Sequence, residues 1–158
     1  MSREIELILL TLDQAYDRKS WHGANLKGAL RGLDAMAATR RPGPGRPSIH
    51  ELVAHLAYWK YAVLRQLTDL PRGAFPLKGS NWFPREGADP TGWKADLALL
   101  DHMHRDLRAA VATLDSADLN RPSTKAKYRI RDLILGVAAH DLHHGGQIQL
   151  IKRLGTEP

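Results

Sequence analysis

Between Trp93 and Leu114 the large apolar residues, joined by one histidine, recur at intervals alternating between four and three: Trp93, Leu97, Leu100, His104, Leu107, Val111, Leu114. A row with that spacing stays on one face of an α-helix and scatters over both faces of a strand. The stretch from Pro90-Thr91 to Leu114 therefore reads as a helix presenting a bundle seam. Three further segments share the period. The first, about 2–18, places Ile5, Ile8, Leu9, Leu12, Ala15 and Tyr16 on one stripe behind a Ser2 cap. The second follows Pro47-Ser48, with Glu51 completing a capping box. It runs through Leu52, His55/Leu56, Trp59 and Val63 to near Leu70-Pro71. The last, about 129–154, aligns Ile130, Leu133, Ile134, Val137, His140, His144, Ile148 and Ile151 before Gly155 stops it. "SWHGANLKGALRGL" (20–33) adds a further helical stretch, and "RRPGPGRP" (40–47) breaks the chain. No segment alternates as a strand does, and no repeat appears. The prediction is an all-α four-helix bundle built by a single domain over residues 1–158.

The connections bear on topology. A short loop after the second helix would turn the third antiparallel to it. Residues 71–90, rich in glycine and proline and without readable secondary structure, reach roughly 65 Å when extended, against a helix of roughly 33 Å. Such a loop allows a crossover, which gives an up-down-down-up bundle.

Composition narrows the chemistry. With 43% hydrophobic and 25% charged residues the chain is an ordinary globular one, and its apolar runs are far too short for a membrane span. The charged stretch "MSREIELILL" lacks a small-residue cleavage site, so no signal peptide is expected and the default address is cytoplasmic. There is no cysteine, so disulfides, thiolate sites and cysteine nucleophiles are excluded, and any metal must be held by His, Asp or Glu. The formal charge of +6 raises nucleic acid as a partner. The excess lies in "RRPGPGR", "KAKYRIR" and "KR" (152–153), none arranged as a base-stacking surface, so nucleic-acid binding is not expected.

Of eight histidines, three fall within "AHDLHHGG". His140 and His144 are one helical turn apart, about 40° around the axis, and can reach one cation. Both continue the core stripe of the last helix, while His143 is turned to its edge. A third ligand must come from another helix. "HELVAH" (50–55) is one residue too long for a zinc-peptidase motif, so that reading fails. His55 lies on the buried stripe, and His50 falls in the first, exposed turn. In an antiparallel pair of second and fourth helices His55 and His144 come to nearly equal height. Three neutral imidazoles without a carboxylate suit Zn²⁺, Ni²⁺ or Fe²⁺, with water completing the site.

These residues carry a resemblance. "SIHELVAHLAYWKY" (48–61), "HDLHHGGQIQLIKRL" (140–154) and the Trp93 helix with its following "LDSADLNRP" resemble the DinB-like (DinB/YfiT) superfamily of metal-dependent four-helix bundles over nearly the whole chain. The form H-x-x-x-H-x-G-Q-I is specific to it. The resemblance implies the up-down-down-up bundle, a divalent metal on His55, His140 and His144, and frequent homodimers. It also implies kinship with transferases and isomerases that use low-molecular-weight thiols such as mycothiol or bacillithiol. Gly145 stands where the family often has Arg or Ala.

Other residues complete the expectation. His104 is read as a buried, hydrogen-bonded residue rather than a fourth ligand. Trp21, His22 and Asn25 fall at the metal end and are pocket candidates, as is Trp59. "SNWFP" (80–84) folds over the bundle as a lid or packs against it, and Asp141 and Gln147 are candidates to orient the ligands, or else helix-surface residues without a role. The expected function is a metal-dependent enzyme acting on a small molecule by thiol transfer, or failing that by hydrolysis or isomerisation. The alternative is a non-catalytic metal-binding stress-response module acting as a dimer.

Overall fold

The computed structural model describes residues 1–68, 70–124 and 127–155. Its elements are α1 (Arg3–Tyr16), α2 (Leu26–Leu30), α3 (Ala35–Ala38), α4 (Ile49–Leu67), α5 (Pro90–Ala112), α6 (Ser116–Asn120) and α7 (Ile130–Leu154). The fold is all-α, and α1, α4, α5 and α7 form its helical core. Among the described residues no helix is long and apolar enough to cross a membrane.

Local chemistry sets the helix starts. The Ser2 side chain accepts from the Ile5 N–H to open α1. Ser48 and Glu51 form the full capping box of α4, with Ser48 N donating to Glu51 Oε2 at 2.7 Å and Glu51 N to Ser48 Oγ at 3.1 Å. Asp89 caps α5, whose first residue is Pro90. The ends fall short of the periodic pattern. Thr68 gives both its N–H and its hydroxyl to the Leu64 carbonyl and turns extended, so α4 stops at Leu67 rather than near Leu70. Asp17 and Arg18 both donate to the Asp13 carbonyl, closing α1 at Tyr16. Within 20–33 only Leu26–Leu30 is helical. The short α6 comes from an Asp115–Asp118 capping box that the apolar pattern does not reveal.

The core has two parts. One joins α2, α3 and the first half of α4 with Phe75, Phe83, Trp93 and Leu100. The other joins α1, the end of α4, Leu107 and Val111 of α5, and the first half of α7. His50, in the first turn of α4, is buried rather than exposed. It stands 3.0 Å from Asp96 in α5 and edge-on to Trp93. Arg85 reaches the same carboxylate at 2.8 Å and 3.2 Å, which fastens the chain ahead of α5. Leu64 and Thr68 at the far end of α4 share a cleft with Ala110 and Thr113 of α5. Arg108 of α5 pairs with Asp13 of α1.

Helix α7 differs from its sequence stripe. Its buried residues include Ile134, Val137, Ala138, Asp141, His144, Gly145 and Ile148, with His140 half-buried at the edge. At Gly145 the Leu26 backbone lies 3.7 Å from where a Cβ would stand, so α2 rests directly on α7 there. Asp141 is not a helix-surface residue. It is fully buried and ion-paired with the equally buried Lys60 of α4. Lys60 follows Leu56 by one turn on the apolar face of α4, and Asp141 follows Val137 by one turn on that of α7, so the two charges meet inside the bundle.

Removing one partner of such a pair strands the other in a medium that cannot solvate it, at a cost of about 3–5 kcal/mol. Lys60→Met and Asp141→Leu are each expected to lower unfolding stability by about that much. The double variant is expected to recover most of it, as read from urea unfolding midpoints.

Candidate metal centre

His55, His140 and His144 come together between α4 and α7. Each offers one ring nitrogen, and these atoms all lie within 4.8 Å of one another. The nitrogens are the Nε2 atoms. His140 Nε2 is 3.1 Å from His55 Nε2 and 3.0 Å from His144 Nε2.

The far side of each ring decides which protons are present. His55 Nδ1 lies 2.8 Å from the Asn81 carbonyl oxygen, which only accepts, so Nδ1–H donates and Nε2 carries a lone pair. His144 Nδ1–H likewise donates to Gln147 Oε1 at 2.7 Å, and Gln147 Nε2 donates to His143 Nε2 at 3.2 Å. Only His140 is free to carry a proton on Nε2, since its Nδ1 is buried without a hydrogen-bond partner among the described residues. One proton at most therefore serves three nitrogens that face each other. A cation at their centre relieves that conflict.

Distances agree with this. Nitrogens about 2.0–2.1 Å from a tetrahedral zinc stand about 3.3 Å apart, so the cluster is already close to ligand spacing. The cluster is capable of coordinating a divalent metal.

Electrostatics keep the rings uncharged. Burial pushes the pKa of His55 down, against the raising effect of its bond to Asn81. Burial, then repulsion from His144 and His55, lowers that of His140 to about 3. Burial lowers that of His144 to about 4, partly opposed by Gln147. At neutral pH all three hold lone pairs ready for a metal, which binds only unprotonated imidazole.

The loop between α4 and α5 completes the wall. Trp82 stacks on His55 with ring centroids 3.9 Å apart, while the Asn81 side chain accepts from Trp59 Nε1 at 2.9 Å. Asn81 has φ 64°, a left-handed conformation that asparagine tolerates better than most residues. Phe83 is buried in the core beside Phe75. The segment 80–84 therefore both packs and covers.

The remaining candidates are dispersed. Trp59, expected on the buried stripe, is 40% exposed at the edge of the site. His104 is buried and stacked on Tyr16 at 3.7 Å, apart from the three-histidine group, and its Nδ1 has no partner among the described residues. Trp21 is fully exposed, His22 is exposed beside it, and Asn25 is the N-cap of α2, accepting from Gly28 N at 2.8 Å. Gln147 holds His144, whereas Asp141 is spent on Lys60. Sequence reasoning missed Asn81, although the turn signal of "GSNWFP" (79–84) is legible. It also missed Lys60, whose signal is a lysine on an apolar stripe.

Comparison with protein families matches residues 19–148 to the family described as the DinB superfamily. Comparison with curated proteins and with solved structures returned no match.

The histidine shifts predict a pH response. In the unfolded chain these rings take up protons below their ordinary value of 6.5, whereas the folded rings of His140, His144 and His104 resist to about 3 or 4. The unfolded state thus binds more protons, and stability falls as pH drops through that window. In metal-free protein the urea midpoint is expected to decline steadily from about pH 6.5 to about pH 4.5, and less steeply in His104→Leu.

Proposed function

The chain belongs to the DinB superfamily, and from that premise we propose that it is a divalent-metal-dependent enzyme acting on a small molecule, with His55, His140 and His144 as the protein ligands. The observation that carries this reading is the convergence of three uncharged imidazoles through Nε2, two of them fixed in that tautomer by oxygen acceptors. When bound, Zn²⁺, Ni²⁺ or Fe²⁺ supplies a nucleophile at neutral pH by lowering the pKa of water or a thiol.

The chain's own groups do the rest. The Asn81 carbonyl and Gln147 Oε1 hold ring protons on the outer nitrogens and aim the lone pairs inward. Trp82 covers His55 and limits water at that edge. The buried carboxylate next to His140, Asp141, is neutralised by Lys60 and serves as no base. A substrate thiol, with an ordinary pKa of about 8.5, needs far less help to ionise than water at about 15.7. The lack of a free carboxylate beside the cluster, among the described residues, therefore favours thiol-dependent transfer over hydrolysis.

The same reading makes the chain one domain with its main helices ordered up-down-down-up and the 68–89 connection as the crossover. Three sets of pairings support that order: His50 with Asp96 and Leu64 beside Ala110 for a parallel α4 and α5, Asp13 with Arg108 and Tyr16 with His104 for an antiparallel α1 and α5, and Leu52 beside Ile151 and Val63 beside Leu133 for an antiparallel α4 and α7. It also takes the protein to act in the cytoplasm as a homodimer, without a nucleic-acid partner.

Purified protein is expected to bind about one equivalent of Zn²⁺ or Ni²⁺ by titration calorimetry, and His144→Ala to lose that binding. Metal-loaded protein is expected to conjugate a thiol to an electrophile, and the same variant to lose the activity. A wild-type protein that takes up no divalent metal sinks the reading. Stoichiometric metal with no thiol-dependent turnover removes the transferase reading and leaves hydrolysis, isomerisation or the metal-binding module.

A further inference from the structure

Leu133, Gly136, Val137 and His140 stand at positions i, i+3, i+4 and i+7 along α7, so they share a face. That face looks across to His55, Trp59 and Val63 of α4, and between the two helices lies a pocket of about 550 Å³. The size is that of a small-molecule site. His55 and His140 stand at one end, and Tyr128 and Asp132 at the other, eight residues or roughly 12 Å away along α7. His144 does not line it.

Two observations say what it takes. Gly136 sits inside a 25-residue helix, where glycine costs roughly 1 kcal/mol relative to alanine, and a Cβ there would meet nothing within 4 Å. At Gly145, by contrast, a neighbouring backbone crowds the missing side chain. The bare surface at Gly136 is thus not needed for packing; it leaves the pocket floor open. The second observation concerns charge. Asp132, the one charged residue lining the pocket among the described residues, already accepts from Arg129 N at 2.9 Å and lies 3.7 Å from Arg131 Nε. The Trp59 indole N–H is spent on Asn81. A charged tail laid along this channel would lose hydration and find no free opposite charge among the described residues that line it.

Building on the reading of the histidine cluster as a metal centre, we propose that the α4–α7 pocket is its substrate channel. It takes an elongated, uncharged molecule with an apolar aryl or alkyl body of roughly 10–12 Å, reactive end toward His55 and His140, and Gly136 sets the clearance. Polar or anionic electrophiles are poor occupants.

The test uses N-phenyl-1-naphthylamine, a neutral elongated fluorophore, on full-length protein stripped of metal, with energy transfer from Trp59 and Trp82 as the readout. Saturable binding of one probe per chain is expected, with the sulfonated analogue 1-anilinonaphthalene-8-sulfonate binding about tenfold more weakly or worse. The series Gly136→Ala, Gly136→Met, Gly136→Leu is expected to lose affinity progressively, by about tenfold or more at Leu, while metal binding stays at the wild-type level. Gly136→Ala should fold at least as well as wild type, which keeps the series informative even where Leu does not fold. Affinity indifferent to the side chain at 136, or a preference for the sulfonated probe, overturns the proposal. His144→Ala separates the two readings. It is expected to keep probe binding while losing metal, and a wild type that binds probe but no metal defeats the metal centre and leaves the channel standing.

Discussion

Everything at the α4–α7 interface turns on one buried ion pair. Lys60 and Asp141 have no exposed surface; beyond the pair, Lys60 Nζ has the Tyr16 ring at 4.9 Å, and Asp141 Oδ1 has no hydrogen-bond partner among the described residues. Such a pair adds little net stability, because desolvation consumes most of the attraction. Its effect is on register. Sliding α7 along α4 by a single turn would leave an ammonium and a carboxylate apart in apolar surroundings, so that alternative is strongly disfavoured. His55 precedes Lys60 by five residues and His140 immediately precedes Asp141, so the pair that fixes the helices also fixes the distance between the imidazoles. Ring nitrogens 3.0 Å and 3.1 Å apart depend on that alignment more than on anything the histidines do for themselves.

Burial acts twice here. It withdraws the imidazoles from water, which lowers their pKa values and keeps them neutral, and it brings together three ring nitrogens that share one proton at most. The protein accepts that local conflict between α4 and α7, where packing over the rest of the interface holds it in place. Tyr16 shows the same habit elsewhere in the core. Its hydroxyl donates to Asp101, which also takes Lys27 at 2.8 Å, and its ring stacks on His104. Polar side chains enter this bundle in groups rather than singly.

Much of this was legible in the chain. The four long helices, the caps at Ser2 and Ser48, the start of α5 at Pro90 and the shared face of His140 and His144 follow from three-four spacing and helix geometry, both local properties; the approach of His55 rests further on an antiparallel order of α4 and α7 and on the family resemblance. What escaped depends on contacts between distant segments. Asp141 reads as a surface residue until Lys60 is placed opposite it. His50 reads as exposed until Asp96 and Trp93 arrive from α5. Trp59 reads as buried because its stripe is apolar, yet the groove beside it is open. Trp21 and His22 follow α1 in sequence, but the turn that carries them points outward, and nothing in their spacing reveals that. Helix ends erred in the usual direction, since a periodic pattern does not register the carbonyl that Thr68 diverts at the end of α4.

The hold on His55 from the 68–89 connection has a character of its own. The oxygen that receives its Nδ1 proton belongs to the main chain of residue 81 and not to any side group. Every residue type carries that oxygen, so no replacement at this position deletes it; only a change in the path of the loop can. The demand of this contact therefore falls on backbone shape, and residue 81 answers to it through its left-handed φ of 64° and not through a side-chain group on His55.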